Sequence, residues 1–272
     1  MSFTEELAWY VRFGWGHARA ALGSAKAKYD LGRYYENTKT HRKDMSKAVL
    51  YYVQAANRGY LPAQKTLGRL YAEGKGVNKD EEKSLFWLQK VVEQHRIKAE
   101  KGDADAQWRY AYCFAYGEGV EKDPAQAVLW YTRSAEQGNV KAQTNLAHCY
   151  SNGIGVEQDP EKAVYWTRKA AEQGHARAQN NLADYYENGK GVEQSYEQAF
   201  YWYEKAAKQG DKYAQHSVGV LYRDGKGVKQ DDENAIWWLK TAIRNGRSEA
   251  VEDLKKCQGL QFEQDWYEGG LN

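Results

Sequence analysis

The chain has 272 residues, of which 42% are hydrophobic and 28% charged, and this composition excludes a disordered chain because it supplies enough apolar surface for a core. The formal net charge of +2 is too small for a nucleic-acid-binding protein that depends on many phosphate contacts. The longest apolar run, Tyr110 to Tyr116, is far shorter than the ~20 residues that cross a bilayer. Glu5 and Glu6 near the N-terminus do not fit an export signal, so we expect a cytoplasmic protein without membrane insertion.

Glycine and alanine recur along the chain at a constant spacing. An alanine stands four residues after each glycine of the series, and successive glycines are 36 residues apart except for one interval of 43. The glycines are Gly23, Gly59, Gly102, Gly138, Gly174, Gly210 and Gly246. Because many positions agree in phase, the sequence predicts an array of 36-residue structural repeats over nearly the whole chain.

Residues 142–174 show the two elements that each repeat contains. Apolar side chains follow the spacing of one helical face until Gly153 and Gly155, which end the first helix because glycine tolerates a positive φ. Asp159 as N-cap and Pro160 in the first turn then start a second helix. Each repeat is therefore predicted to be a helix–turn–helix unit.

The predicted second helices share further features. Where the capping Asp is missing, Ser195 takes its place, and Gln198 is expected to complete a capping box with it. Seven extra residues around His95 to Lys101 amount to about two helical turns, so they are expected to lengthen their helix without breaking its face. A tryptophan, expected to be a core residue, recurs at Trp87, Trp130, Trp166, Trp202 and Trp238.

These residues resemble the Sel-1-like repeat family, whose 36-residue units are related to tetratricopeptide repeats. The resemblance rests on Leu67-Gly68, Tyr71, Gly74-Lys75-Gly76-Val77, Asp80, Trp87 and their copies. It implies an all-α fold, a right-handed α-solenoid of about fourteen helices whose first helices line a concave groove. The predicted organisation is a single repeat domain over 1–272, with an N-terminal half-repeat cap at 1–26, six repeats at 27–62, 63–105, 106–141, 142–177, 178–213 and 214–249, and a C-terminal cap at 250–272. The first repeat has residues 37–42 in place of the glycine turn, which predicts a different turn there.

Three glycine-rich segments look at first like phosphate loops: Gly74-Lys75-Gly76, Gly189-Lys190-Gly191 and Gly225-Lys226-Gly227. A phosphate loop follows a strand, whereas a predicted helix precedes these segments, so we interpret them as connectors. The six histidines show no metal-ligand spacing, and no nucleophile elbow is present. We therefore expect no catalytic residue, no cofactor and no metal.

The three cysteines occupy one position of the repeat. Cys113, Cys149 and Cys257 each stand seven residues after the repeat alanine, where other repeats have Leu or Tyr. Such an apolar position predicts buried, reduced thiols rather than disulfides.

If tetratricopeptide geometry carries over, residues two before and two after the repeat leucine face the groove, and residues about one turn further on extend it. The predicted partner-binding residues are Tyr29, Arg33, Lys65, Arg69, Trp108, Tyr112, Tyr116, His148, Asn180, Asp184, His216 and Arg223. Trp108, Tyr112 and Tyr116 lie on one helical stripe and are interpreted as an exposed aromatic anchor flanked by Arg69 and His148; the alternative is that they extend the core.

Charge is distributed unevenly along the predicted solenoid. Residues 1–105 contain 19 Lys and Arg against 13 Asp and Glu, whereas residues 106–272 contain 20 against 24. A partner of complementary polarity would be steered into one orientation.

The leading functional hypothesis is a non-catalytic protein–protein interaction module, an adaptor or scaffold that binds a peptide or protein in its groove. The resemblance implies such roles in bacterial signalling, envelope and host-interaction pathways. A more specific alternative is an immunity protein that neutralises a secreted toxin. The third hypothesis is an enzyme, because some secreted, cysteine-paired members of the resembled family have been linked to β-lactam hydrolysis. This chain has neither the paired cysteines nor a motif that places a nucleophile next to a base.

Overall fold

The computed structural model describes residues 23–37 and 43–258, and every regular element in these residues is a helix. The helices are α1 (Ala25–Glu36), α2 (Met45–Ala56), α3 (Leu61–Glu73), α4 (Glu81–Glu100), α5 (Ala104–Tyr116), α6 (Pro124–Glu136), α7 (Val140–Asn152), α8 (Pro160–Glu172), α9 (Ala176–Asn188), α10 (Tyr196–Lys208), α11 (Lys212–Asp224), α12 (Asp232–Arg244) and α13 (Ala250–Gln258). Odd numbers are the predicted first helices of the repeats and even numbers the second helices. Most of the N-terminal half-repeat cap, most of the unusual turn at 37–42 and the end of the C-terminal cap lie outside the described residues.

The chain divides within α6 into two compact units, Met1–Ala127 and Val128–Asn272, called unit 1 and unit 2 below. In unit 1, consecutive helices from α1 to α5 pack against one another, and in unit 2 the same holds from α7 to α13. Each unit therefore has the helical repeat architecture of a solenoid, which confirms the predicted fold class. That 1–272 form a single domain stays a prediction.

The ends of the helices follow the predicted signals, with one exception. Asp159 caps α8 by accepting a hydrogen bond from the Lys162 backbone N–H at 2.9 Å. Ser195 caps α10 in the same way, through the Gln198 N–H at 3.2 Å. The reciprocal half of the capping box is wrong, because the Ser195 N–H donates to the Tyr186 carbonyl at 2.9 Å. This bond closes the preceding turn and leaves the Gln198 side chain in solvent.

The seven-residue insertion lengthens a helix, as predicted. Helix α4 has 20 residues, whereas α6, α8, α10 and α12 have 13 each. The added turns bury His95, whose side chain is 7% exposed. Burial, together with the nearby cations Arg109 and Lys65, lowers the pKa of His95 from 6.5 to about 4.

This buried histidine makes the stability of the fold depend on pH. The unfolded chain takes up the His95 proton near pH 6.5, whereas the folded chain resists it down to about pH 4, so acidification in this window favours unfolding. Lowering the pH from 7 to 4.5 is expected to remove about 2–3 kcal/mol from the free energy of unfolding. Urea unfolding at both pH values, compared with a His95→Gln variant, isolates this contribution. Equal losses in the two proteins would contradict it.

The repeated tryptophan is a core residue in four of its five positions. Trp87, Trp130, Trp202 and Trp238 are 8–9% exposed, whereas Trp166 is half-buried and the expectation for it is corrected. A cation over the ring does not account for the difference, because Arg133 lies 4.4 Å from the ring centre of Trp130 whereas Lys90 lies over Phe86 rather than over the equally buried Trp87.

A buried glutamine ties three successive helices together, a feature that the sequence analysis missed. Gln179 of α9 donates from Nε2 to the Ala171 carbonyl near the end of α8 at 3.1 Å. Its Oε1 accepts from Gln209, which directly follows α10, at 2.7 Å. The same bond to the preceding helix recurs from Gln64, Gln107, Gln143 and Gln215, each at 3.1 Å. The 36-residue recurrence of Gln directly after the repeat alanine was the signal for it.

Candidate partner-binding site

In unit 1, the predicted groove residues of α1, α3 and α5 share one face, called the first-helix face below. Arg69 of α3 binds Glu36 of α1 at 3.2 Å and Glu73 of its own helix at 3.1 Å. Lys65, one turn earlier on α3, binds Glu118 just after α5 at 3.1 Å. These contacts show that the three helices present neighbouring side chains, as the repeat spacing predicted.

The aromatic stripe of α5 forms a continuous ladder on this face. The ring centres of Trp108 and Tyr112 are 6.1 Å apart, and those of Tyr112 and Tyr116 are 4.2 Å apart. Tyr116 is 64% exposed, whereas Trp108 and Tyr112 are half-buried. Trp108 and Tyr112 therefore contribute to packing, as in the core interpretation, whereas the ring of Tyr116 is presented to solvent, as in the anchor interpretation.

Cations flank the ladder. The Lys65 Nζ lies 6.0 Å from the ring centre of Tyr112, and Arg69 is the next residue of the same helix face. Both cations are about half exposed, and their acidic partners lie at the surface or are partly exposed. Ion pairs in such surroundings contribute little to stability, since water and salt screen them. Lys65 and Arg69 therefore lie on this face in ion pairs that are weak enough to be exchanged for others.

The first repeat supplies a rigid support for this face. Glu36 accepts a hydrogen bond from the Tyr52 hydroxyl at 2.6 Å in addition to its bond from Arg69. Burial alone would raise the pKa of Glu36, but these two hydrogen bonds outweigh it and lower the pKa. Tyr29 is half-buried beside Tyr52, at 5.4 Å between ring centres, and Arg33 is exposed.

In unit 2, three predicted residues lie at the surface of the first helices. His148 is exposed, and its Nδ1 lies 3.0 Å from the Asn152 side-chain nitrogen. Asp184 is exposed and accepts from Asn188 at 3.0 Å, while Asn180 is half-buried.

The other two predicted residues of unit 2 are engaged within the protein. Asp253 of α13 contacts His216 at 2.8 Å and accepts from Arg223 at 2.6 Å, and all three side chains are less than one-fifth exposed. Burial would raise the pKa of Asp253, but hydrogen bonds from these residues and from Lys256 hold it well below its usual range. Asp253 was missed because it lies in the last half-repeat, beyond the matched motif.

The cysteines occupy the predicted position. Cys113 and Cys149 are buried, Cys257 is half-buried, and all three are free thiols. Burial raises the pKa of the Cys113 and Cys149 thiols to about 11.

The native thiols are therefore expected to react slowly with a thiol reagent at pH 7.5, since the reactive thiolate is both rare and covered. Cys257 is expected to react first, because it is the most accessible of the three. Labelling followed by peptide mapping gives the order. Modification of Cys113 or Cys149 at the rate of the urea-unfolded chain would contradict the packing.

No group of His, Cys, Asp or Glu in 23–37 and 43–258 is arranged to hold a metal ion. Nor does any helix there have both the length and the apolar character that a bilayer span requires.

The pairs of helices, their glycine turns and their constant period define a helical-repeat protein of the α-solenoid class. A family model described as Sel1 repeat matches residues 25–60, 61–94, 104–139, 140–175, 176–211 and 212–246. These matches cover well over half of the chain, which therefore belongs to the Sel1 repeat family. Each predicted repeat starts two residues after the matched one. Proteins built on this scaffold commonly interact with other proteins.

Solved structures agree with this assignment. The crystal structure of c5321, a protective antigen of uropathogenic Escherichia coli with an SLR fold, is similar with a TM-score of 0.72 and 33% identity over 91% of this chain. The match covers 52% of c5321, so this chain spans about half the length of that protein. A Sel1 repeat protein from Oxalobacter formigenes is similar with a TM-score of 0.63 and 34% identity, over 83% of this chain and 89% of that one.

Proposed function

We propose that this chain is a non-catalytic, cytoplasmic adaptor or scaffold that binds a peptide or protein partner on the first-helix face of unit 1. The observation that carries the proposal is the aromatic ladder of α5, whose last ring, Tyr116, is 64% exposed and whose middle ring, Tyr112, has its centre 6.0 Å from the Lys65 Nζ. Large exposed apolar groups next to polar ones mark interaction surfaces.

The ladder has the properties of a binding anchor. Tyr116 packs at a tilt against Tyr112, which in turn contacts Trp108, so the exposed ring is held in place before any partner arrives. An ordered ring loses little conformational entropy on binding, and aromatic residues with arginine dominate the energetics of interfaces.

The flanking charges indicate the chemistry of the partner. Residues 1–105 carry an excess of Lys and Arg, and two of these cations, Lys65 and Arg69, lie one turn apart on α3 in weak surface ion pairs, with Lys65 also beside Tyr112 of the ladder. A partner that inserts an apolar side chain against Tyr116 and brings a carboxylate to Arg69 would exchange one exposed ion pair for a better-covered one. An acidic segment with an apolar residue fits these requirements.

The partner can be captured through the residue that the proposal names. A photo-crosslinking amino acid placed at position 116, in cells that naturally make the chain, is expected to yield a defined protein adduct. The same group at Tyr213, which is 51% exposed on α11 of unit 2, serves as the matched control. A toxin in the adduct would give the chain an immunity role, and a signalling or envelope protein an adaptor role. If both positions gave the same adducts, the result would contradict a binding site at the ladder. Turnover of nitrocefin by the purified protein would contradict the proposal that the chain is not an enzyme.

Once the partner has been identified, Tyr116→Ala is expected to weaken the binding of that partner by at least ~2 kcal/mol, the scale of an interface hot spot. The melting temperature is expected to stay almost unchanged, because the ring is mostly exposed. Arg69→Glu is expected to slow association and reduce its salt dependence. Calorimetry and stopped-flow kinetics measure both, with Tyr213→Ala as the neutral control. A Tyr116→Ala variant that binds the partner as tightly as the original chain would contradict the proposal.

A further inference from the structure

A second row of exposed apolar side chains lies on the second helices of unit 2. Directly before the repeat tryptophan, α8, α10 and α12 carry Tyr165, Tyr201 and Trp237, which are 52%, 46% and 56% exposed. In α6 the same position holds Leu129, also exposed. The core of the repeat does not require an apolar residue here, since the side chain points to solvent.

The rings of this row are held in fixed orientations. Tyr201 stands edge-on to Trp202 with ring centres 5.0 Å apart, and Trp237 to Trp238 at 4.6 Å. Trp202 and Trp238 belong to one core cluster that also contains Ala163 of α8, so α8, α10 and α12 pack around the same core. The three rings therefore occupy one equivalent position on successive second helices, and this row is called the stripe below.

Charged residues border the stripe on both sides with opposite signs. Four residues before each ring stands an exposed glutamate: Glu161 on α8, Glu197 on α10 and Glu233 on α12. Four residues after it stand the exposed lysines of α8 and α10, Lys169 and Lys205, and in α12 a threonine. Since residues three and four apart share a helix face, the glutamates form an acidic row on one side of the rings and the lysines a basic row on the other, with Lys162 and Glu204 as single charges of opposite sign within them.

From this arrangement we infer that the stripe is the interface of a homodimer, in which a second copy of this chain packs its own stripe against it. A twofold axis along the apolar row turns the acidic row of one copy onto the basic row of the other. Glu197 and Lys205 stand one helical turn before and after Tyr201, with the Lys205 Nζ reaching back to 4.4 Å from the Tyr201 ring centre, so Glu197 meets the Lys205 position of the second copy. A twofold axis across the row would instead bring like charges together.

The area of this face is close to the area that each partner contributes to a stable dimer interface. A 13-residue helix is about 20 Å long and neighbouring helices stand about 10 Å apart, so three of them present a face of about 600 Å² in projection. A stable interface uses about 800 Å² of accessible surface from each partner. Its expected anatomy, aromatic groups at the centre and charges at the rim, is the one observed here.

Sedimentation of the full chain over ~5–200 μM tests the inference through a charge swap. The unchanged chain is expected to dimerise in this range. Lys205→Glu places two glutamates opposite each other and is expected to raise the dimer dissociation constant at least ~10-fold. The double variant Glu197→Lys with Lys205→Glu restores opposite charges and is expected to recover most of the loss. Tyr116→Ala, on the first-helix face of unit 1, is the control and is expected to leave dimerisation unchanged.

A chain that stays monomeric throughout this range overturns the inference. So does a dimer that Lys205→Glu leaves intact, or one that the double variant fails to restore. Circular dichroism at 222 nm verifies that each variant keeps its helices, and Tyr201→Ala gives a second, uncharged variant that must also weaken the dimer. These results do not depend on whether a partner binds at Tyr116.

Discussion

Replacing Trp238 with alanine is expected to lower the free energy of unfolding by about 3–5 kcal/mol, the cost of deleting a large buried aromatic side chain. Trp238 is 8% exposed and belongs to the core cluster of unit 2, where it joins α12 to the preceding repeat. The cavity that its removal leaves is bordered by regular helices, which cannot move inward without breaking their own contacts.

The residue before it in the sequence supplies the control. Trp237 is the same side chain on the same helix, but it is 56% exposed. Trp237→Ala is expected to cost less than ~1 kcal/mol, the usual scale of a surface substitution. Urea unfolding followed by circular dichroism measures both variants at a protein concentration that keeps them monomeric. Similar losses at the two positions would mean that the repeat tryptophan is not the side chain that packs the core.

A backbone effect of comparable size is expected at Gly227, in the turn between α11 and α12. Its φ is +68°, and a Cβ there would collide with the backbone carbonyl group of Tyr196 at the start of α10. Unlike a side chain, this group cannot rotate away. The left-handed conformation and the overlap together are expected to cost about 2–4 kcal/mol in a Gly227→Ala variant. The glycine is needed because the turn lies against the preceding second helix, which is the role of a connector.

Gly210 separates the two causes. Its φ is +92°, but nothing lies within 4 Å of the Cβ that alanine would add. Gly210→Ala is therefore expected to show the backbone cost alone, about 1–2 kcal/mol. Thermal unfolding of both variants gives the comparison. Equal melting temperatures would show that the close approach to Tyr196 contributes nothing.

The fold was readable from the sequence because its signals repeat. Each glycine turn, capping Asp and apolar stripe is weak alone, but the 36-residue period superposes six copies of them. The missed features are those that depend on side-chain geometry. A glutamine beside the repeat alanine looks like surface in the sequence, and only the structure shows Gln179 bonded to the Ala171 carbonyl. The greater exposure of Trp166 than of the other repeat tryptophans likewise has no counterpart in the periodicity.

The candidate site was predictable in outline. Helical spacing placed Trp108, Tyr112 and Tyr116 on one stripe, and the structure keeps them together while grading their exposure. Spacing gave no information about which charges pair. The bond between Arg69 and Glu36 joins helices one repeat apart, and its existence depends on rotamers that periodicity does not fix.

The most direct test of the binding face is hydrogen exchange of the full chain with and without the crosslinked partner. The proposal predicts that binding slows amide exchange in residues 65–73 of α3 and 108–118 at the end of α5, around Tyr116 and Arg69. The second helices, including α4 of the same unit, are expected to exchange at unchanged rates. Protection confined to the second helices or to unit 2, with residues 108–118 unaffected, would contradict the account.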